Sequence, residues 1–335
     1  MTENENGDRF IFLRKMNLSP FSSRRVPAAI CIFLFVACSP SPAPLLRVGT
    51  NIWPGYETLY LARSLGAFDE RRIRLIEFPS SVHVQDNLRN GTIEAGCLTL
   101  DETLSLLADG VDLRVILAMD ISAGADVILA RPGLGGLADL RGRRVGVEST
   151  NVGAVMLDAA LQRAGLKTGD VTVVPLSVDE HETAYRNGAV DAVVTFEPVR
   201  SRLLSAGAHV IFDSSQVPDR ILDVLVVRAD KLAGRHDALL ELVRGHFRAL
   251  AHISRSPQDA ATRMTPRLGA GPLEQFSGLR LPDLGANRTF LAGAAPPLRG
   301  AAAELGALLV RRGLLPHPVA VDKLADAGIV NAITP

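Results

Sequence analysis

The segment Arg47–Glu57 combines backbone and side-chain features that suit ligand binding. An apolar stretch that ends at Val48 predicts a strand, and apolar residues spaced three and four apart after the segment predict a helix that closes near Gly66. The polar and aromatic residues between them therefore lie where unpaired N–H groups face an open crevice. Trp53 and Tyr56 either line a pocket or fill a core, because both roles select the same residue types.

Carboxylate side chains fall at or near several predicted strand ends. They are Glu57, Asp101, Asp120, Asp126, Glu148 and Glu197. No lysine or arginine clearly accompanies them in the sequence, and a field of one sign repels an anionic solute unless the carboxylates are paired or turned away. The pattern therefore favours a neutral, zwitterionic or amine-bearing ligand.

Signals for catalysis are weak. The histidines are scattered, and His246 and His252 are spaced so that a helix turns them to different faces. No Cys/His cluster has metal-ligand spacing, and neither a Gly-x-Ser-x-Gly elbow nor a P-loop is present. We therefore predict no metal, no cofactor and no enzymatic activity.

Composition argues against a nucleic-acid partner. The chain has 335 residues, enough for roughly two domains, and its 47% hydrophobic and 21% charged residues are ordinary for a globular protein. Lysine plus arginine and aspartate plus glutamate both number 36. This balance lacks the basic surface that nucleic-acid binding requires.

Residues 1–37 have the pattern of a secretory signal peptide. Two arginines precede an apolar run that is too short to span a bilayer as a permanent helix. The run ends at a sequence that resembles a bacterial lipobox, with Phe35 in place of the usual leucine, so Cys38 is expected to become the lipidated first residue. A free cysteine after an ordinary signal peptide is the alternative. Met16 is an alternative start that leaves a signal of conventional length.

Residues 38–45 are then expected to form a lipid-anchored tether, extended by its prolines. Only Cys97 would remain besides the anchor, so lipidation of Cys38 leaves no intramolecular disulfide. We expect the protein in the periplasm or at the cell surface, held to the membrane through Cys38.

Beyond the tether, strands and helices alternate along the chain. Strands are predicted at 73–78, 95–98, 113–119, 145–147, 171–176, 189–196, 209–212 and 221–227, and helices at 84–90, 104–108, 182–186, 238–253 and 298–314. The alternation is typical of an α/β fold with a largely parallel sheet and helices on both faces. After Pro132 the order of strand, polar loop, helix and strand is repeated.

Four segments together resemble a known family. They are Gly49–Glu57 (GTNIWPGYE), Asp120–Asp126 (DISAGAD), Leu140–Val147 (LRGRRVGV) and Thr195–Pro198 (TFEP). Their order and spacing resemble the substrate-binding proteins of ABC importers for nitrate, sulfonate, taurine and related solutes, which share a fold with thiamine-precursor binding proteins. The resemblance extends from Arg47 to the C-terminus.

The resemblance implies a periplasmic-binding-protein type 2 fold, in which two α/β lobes joined by two crossing strands hold a ligand in their cleft. Lobe 1 would comprise residues 46–123 plus 220–335 and lobe 2 residues 124–219, with crossings near 124–127 and 217–222. Ligand binding would close the lobes by a hinge motion. The closed monomer would then dock on a membrane permease served by an ATPase.

The resemblance also implies which residues face the cleft. They are Trp53, Tyr56, Glu57, Ser80, Ser81, Thr99, Asp101, Asp120 and Ser122 from lobe 1, and Ser149, Thr150, Asn151 and Glu197 from lobe 2. Hydroxyls and N–H groups at helix starts can hold an oxyanion without a cation. Each serine and threonine can instead be a helix N-cap, and Asp101 and Glu102 favourable first-turn acids.

The expected solute is small and organic, either sulfonate-like or amine-bearing. The carboxylates favour an amino-sulfonate or an aminopyrimidine over nitrate. The alternative is a pyrimidine-precursor binding protein of the thiamine pathway, or a biosynthetic enzyme of the same fold, although export argues against biosynthesis. The sensory input of a receptor is a third reading, but no signalling domain follows in the sequence.

Overall fold

A computed structural model describes residues 44–148, 151–218 and 220–334. The predicted signal peptide, with Met16 and Cys38, lies outside these ranges. The described residues form eleven strands: β1 (Leu46–Thr50), β2 (Ile73–Glu77), β3 (Ala95–Thr99), β4 (Leu113–Ser122), β5 (Val127–Ala130), β6 (Arg144–Glu148), β7 (Thr172–Leu176), β8 (Ala192–Thr195), β9 (His209–Asp213), β10 (Leu222–Arg228) and β11 (Leu279–Arg280).

Twelve α-helices lie in the same described ranges. They are α1 (Glu57–Ser64), α2 (Ser81–Asn90), α3 (Leu100–Ala108), α4 (Asn151–Arg163), α5 (Val178–Arg186), α6 (Val199–Ser205), α7 (Ala229–Leu232), α8 (His236–Arg255), α9 (Pro257–Leu268), α10 (Leu284–Leu291), α11 (Pro297–Arg311) and α12 (Gly328–Asn331). None of them is long and apolar enough to cross a membrane.

The strands form two sheets with the same internal order. In the first sheet the order is β2-β1-β3-β10-β4-β11, and in the second it is β7-β6-β8-β5-β9. In each sheet the first three strands are parallel, and the fourth runs antiparallel to both of its neighbours. The repeat predicted after Pro132 is thereby confirmed, and its strands form a separate second sheet.

The antiparallel strand of each sheet is the one that arrives from the other sheet. The chain leaves β4 at Ser122 and enters β5 at Val127, and it leaves β9 at Asp213 and enters β10 at Leu222. The prediction of two crossing strands is confirmed. The prediction of a largely parallel sheet is corrected to two mixed sheets, because residue patterns give the position of a strand but not its direction.

The central strands are buried on both faces, which explains their continuous apolar sequence. In β10 every residue from Leu222 to Val227 is buried, including one aspartate, Asp223. Helices cover both faces of each sheet, and the second sheet separates two apolar clusters of its own. Each sheet therefore has its own core, and the residues at the strand ends are left to face the other sheet.

Helix α8 packs on α1 and closes the far side of the first core. Its buried positions repeat every three to four residues, as expected for an amphipathic helix. Gly245 lies at the contact, where an added Cβ would stand 3.2 Å from the Cβ of Ala62. This close approach fixes the position of α1 and of the loop that precedes it.

Candidate functional site

The carboxyl edges of the two sheets face one another across a cavity. It encloses about 380 Å³, including the part that is open to solvent. Its lining comes from both sheets: Asn51, Trp53, Tyr56, Ser81, Thr99, Glu102, Asp126, Glu148, Val152, Phe196, Ile221 and Asp223. Among the described residues no cluster of histidine, cysteine and carboxylate side chains fits a metal ion.

Trp53 spans the cavity between the two sheets. Its side chain is 5% exposed and its indole N–H donates to Asp120 Oδ2 at 3.1 Å. Its ring meets the ring of Phe196, which follows β8, edge to face with centroids 5.4 Å apart. The hydrogen bond to Asp120 fixes the orientation of the indole. The contact between Trp53 and Phe196 then joins the two sides of the cleft.

Gly55 makes room for this arrangement. A Cβ at Gly55 would stand 1.7 Å from Asp120 Oδ2 and 2.8 Å from Trp53 Nε1. The short helical turn Pro54–Tyr56 therefore passes directly over the Trp53–Asp120 hydrogen bond. The glycine in this loop is required by close approach rather than by an unusual backbone angle.

Asp120 and Asp223 form a buried carboxyl pair on adjacent strands. They are register partners of β4 and β10, and the Tyr56 hydroxyl donates to Asp223 Oδ1. Burial and the neighbouring Asp120 raise the pKa of Asp223 well above its usual range, while burial raises the pKa of Asp120 to about 7. Asp223 therefore remains protonated beside Asp120.

The start of α3 contributes a second group of carboxyls. Glu102 accepts from the backbone N–H of Thr99 at 3.0 Å and from the Ser81 hydroxyl at 2.5 Å. Burial raises the pKa of Glu102, and burial with the adjacent Glu102 raises the pKa of Asp101 to about 8. Asp101 is buried behind the cavity and does not line it. Glu102 therefore caps the start of α3, because its carboxylate accepts from the backbone N–H of Thr99.

A small hydrogen-bond cluster ties the two crossing segments together. The hydroxyls of Ser122 and Ser214 are 2.7 Å apart, and the N–H of Gly124 donates to Ser214 Oγ at 2.7 Å. The backbone N–H of Asp126 donates to Ser122 Oγ at 3.2 Å. Ser122 therefore lies in the connection between the lobes rather than on the cavity wall, and it holds Asp126 at the cavity edge.

Two of the carboxylates are turned away from the cavity and paired with arginines. Glu57 accepts from Arg267 Nε at 2.9 and 3.0 Å, and Glu197 accepts from Arg200 Nη1 at 2.9 Å. Both glutamates are 1% exposed, and neither lines the cavity. The expectation that no lysine or arginine accompanies the strand-end carboxylates is therefore wrong for Glu57 and Glu197.

The remaining predicted residues divide between the wall and its support. Ser81 lines the cavity, whereas Ser80 is buried beside it with its hydroxyl 3.0 Å from His83 Nδ1. Asn151 begins helix α4, whose next residue, Val152, lines the cavity. Ser149 and Thr150 lie outside the described residues, as does the side chain of Asn151.

Several lining residues were not selected from the sequence. Asn51 and Phe196 lie inside the recognised motifs, and Glu102, Asp126 and Glu148 were noted only as acids. Asp223 interrupts an apolar strand, and that interruption was a usable signal. In the predicted parallel sheet, the first residues of this strand would lie at the edge away from the cleft. Asp223 was therefore not selected, whereas the antiparallel direction of β10 brings it to the cavity. Val152 and Ile221 gave no signal distinct from core positions.

Comparisons with known proteins agree with this architecture. A family model described as the NMT1-like family matches residues 39–266. A putative aliphatic sulfonates-binding protein of Escherichia coli (strain K12) is 26% identical over 260 residues, which are 76% of this chain and 78% of that protein.

Two solved structures illustrate the likeness in fold. The alkanesulfonate-binding protein SsuA from Xanthomonas axonopodis pv. citri, bound to MOPS, gives a TM-score of 0.70 at 20% identity over 83% of this chain and 96% of that one. The desulfurization enzyme DSZB gives 0.60 at 17% identity over 85% of this chain and 98% of that one. These likenesses establish the two-lobed α/β fold of periplasmic binding proteins. Since the family model covers more than half of its residues, the chain belongs to the NMT1-like family.

Proposed function

We propose that this protein is the extracytoplasmic solute-binding component of an ABC importer. The observation that carries the proposal is the cavity between the two sheets, lined from both sides and bridged by Trp53 and Phe196. A ligand held there contacts both lobes and therefore favours their closed arrangement over the open one. The sulfonate-binding relative from Escherichia coli supports a transport role.

The proposed lobes are residues 46–123 plus 220–335 and residues 124–219, joined by the Ser122–Ser214 cluster. Of the residues predicted to face the cleft, Trp53, Tyr56, Ser81 and Thr99 line the cavity. Asp120 and Ser122 position Trp53 and Asp126 through hydrogen bonds. We assign Glu57 and Glu197 a structural role, because their arginine partners already neutralise them.

Binding is tested first on the purified chain. A panel of small organic solutes is screened by thermal unfolding, since a ligand that binds only the folded state raises apparent stability by mass action. Trp53 is the single tryptophan of the sequence and lies in the cavity wall, so its emission should change with the same ligands. A ligand that raises the melting temperature and leaves the emission of Trp53 unchanged would place the site elsewhere.

Transport is tested in cells that carry the gene beside its permease. Deleting the gene should abolish high-affinity uptake of the solute identified in the screen, and a Trp53→Ala variant that still folds should restore less uptake than the wild type. Uptake that continues unchanged in the deletion strain would contradict the importer role. The proposed lipid anchor is tested separately, because Cys38→Ser should move the protein from the membrane fraction to the soluble one.

An enzyme of the same fold is the second candidate, because DSZB shares the architecture. Cys97 is the cysteine among the described residues; it is buried in β3 and is not one of the residues that line the cavity. Burial raises the pKa of its thiol well above the usual range, so it stays protonated and is a poor nucleophile. Product formation from a bound solute by the purified chain would favour the enzyme, including one acting on a thiamine-pathway pyrimidine.

A further inference from the structure

The described acidic and basic residues that line the cavity are all carboxyls. Glu102, Asp126, Glu148 and Asp223 line it, and none of the described lining residues is a lysine or an arginine. Glu57 and Glu197, which lie outside the cavity, each pair with an arginine. Within the cavity, the donors to Glu102 and Asp223 are two hydroxyls and a backbone N–H, and all are neutral.

Asp126 lines this space and has a buried acceptor atom without a donor. Its side chain is 4% exposed, and its Oδ2 atom has no hydrogen-bond partner. Asn51, on the opposite sheet, is 8% exposed, and its Oδ1 atom also has none. A buried acceptor without a donor is destabilising, because it has lost its hydrogen bonds to water and gained none in the protein. Both residues line the cavity, so a ligand that brings N–H donors can satisfy both acceptors at once.

The aromatic pair supplies the complementary apolar surface. Trp53 and Phe196 line the same cavity as Asp126, and the hydrogen bond to Asp120 fixes the orientation of the indole. Aromatic side chains near a cation attract it electrostatically, and tryptophan does so most strongly. The cavity therefore combines aromatic walls with unpaired carboxylate and amide acceptors, and its described lining contains no cation. Together these features select one class of ligand.

We propose that the solute carries a cationic nitrogen with at least two N–H donors, such as a primary ammonium or an amidinium. Asp126 Oδ2 and Asn51 Oδ1 accept from this nitrogen, and Trp53 and Phe196 cover the rest of the molecule. The inference rests on the proposed solute-binding function and narrows its ligand class. The proposed ligand class differs from the sulfonates for which the relative from Escherichia coli is named.

The electrostatics of the site agree with this assignment. Burial without a cation raises the pKa of Asp126 to about 6 and that of Asp120 to about 7, and Asp126 in turn contributes to the raised pKa of Asp101 and Asp223. A bound cation would favour the charged forms and release protons. A sulfonate would instead meet the Asp126 carboxylate at neutral pH.

The test uses two pairs of probes that share a tail and differ in the sign of the head group. Ethanolamine is compared with 2-hydroxyethanesulfonate, and benzylamine with phenylmethanesulfonate, by calorimetry and Trp53 emission at pH 8 and low ionic strength. In each pair the ammonium should bind at least about tenfold more tightly than the sulfonate. Asp126→Asn should weaken ammonium binding about tenfold or more, because a charge-assisted hydrogen bond is lost.

Two further variants complete the design. Asp237→Asn makes the same chemical change at a side chain that is 85% exposed, and it should leave all affinities unchanged. Asn51→Leu removes the second acceptor without touching a charge, and it serves if Asp126→Asn fails to fold. It should weaken the ammonium probes and leave the sulfonates unaffected.

The outcomes separate the two proposals. Tighter binding of a sulfonate than of its ammonium partner would overturn the cationic class and leave the solute-binding function intact. Ammonium binding unaffected by Asp126→Asn, or by Asn51→Leu if the first variant does not fold, would overturn the assigned contacts. Failure of all four probes at about 10 mM to change the melting temperature or the emission of Trp53 would contradict the inference and the proposed cleft together.

Discussion

Replacing Arg267 with methionine should destabilise the protein in a strongly pH-dependent way. Arg267 lies in α9, donates to the 1%-exposed Glu57, pairs with Glu77, and places its guanidinium carbon 3.4 Å from the ring centroid of Tyr60. Removing one partner of a buried ion pair typically costs 3–5 kcal/mol. Because the Arg267 side chain is 21% exposed, we expect about 3 kcal/mol at pH 8.

The loss should shrink as the pH falls. Burial raises the pKa of Glu57 from 4.5 to about 7, although Arg267 opposes the shift. The folded state therefore binds more protons than the unfolded state between those values, and the free energy of unfolding falls as pH rises through this window. Loss of Arg267 raises this pKa further. At pH 5 Glu57 is neutral in both folded proteins, so only about 1 kcal/mol from the stacking and the Glu77 pair should remain.

Urea unfolding followed by circular dichroism at pH 5, 6.5 and 8 measures this difference. The double variant Glu57→Gln, Arg267→Met should recover most of the loss at pH 8, because no buried charge is left unpaired. Arg263→Met, on the same helix and paired with the exposed Asp259, is the control and should show a small loss without pH dependence. A loss that is equal at all three pH values, or that Glu57→Gln fails to recover, would refute the assignment of Glu57 to structure.

Three other outcomes follow from the site and its surroundings. Gly55→Ala should destabilise the fold by about 1–3 kcal/mol and shift the tryptophan emission, because its Cβ would displace Asp120 Oδ2; unfolding and emission spectra measure both effects. Arg312→Asp should weaken solute binding, because Arg312 pairs at 3.2 Å with Asp158 of α4 across the two lobes, and adding Asp158→Arg should restore it in a calorimetric titration. Asp126→Asn should raise the free energy of unfolding above pH 6 by up to roughly 3 kcal/mol. The gain should disappear toward pH 4, because the buried Asp126 destabilises the folded state only when it is charged. Denaturation at pH 4 and pH 8 without ligand measures the sign of the effect.

The part of the site encoded locally was accessible from the sequence. The loop around Trp53 follows a recognisable strand and precedes a recognisable helix, so its position at the cleft edge follows from spacing alone. The same holds for Thr99 at the start of α3. For Ser149 and Thr150 the expectation stands as a prediction, since they lie outside the described residues.

The parts that depend on distant segments could not be predicted. Arg267 is 210 positions from Glu57, in a helix that lies between those predicted at 238–253 and 298–314. A local charge pattern therefore showed an unpaired glutamate where the fold supplies a partner. Asp223 reaches the cavity because its strand enters from the other lobe and runs antiparallel to β3 and β4. Strand direction is a property of the topology and leaves no mark on residue periodicity.

A crystal structure of the chain grown with its tightest-binding solute tests the central claim most directly. The account predicts the solute between Trp53 and Phe196, with a nitrogen within hydrogen-bond distance of Asp126 Oδ2. Solute found instead in the separate cavity lined by Leu157, Asp158, Arg311 and Arg312 would contradict it.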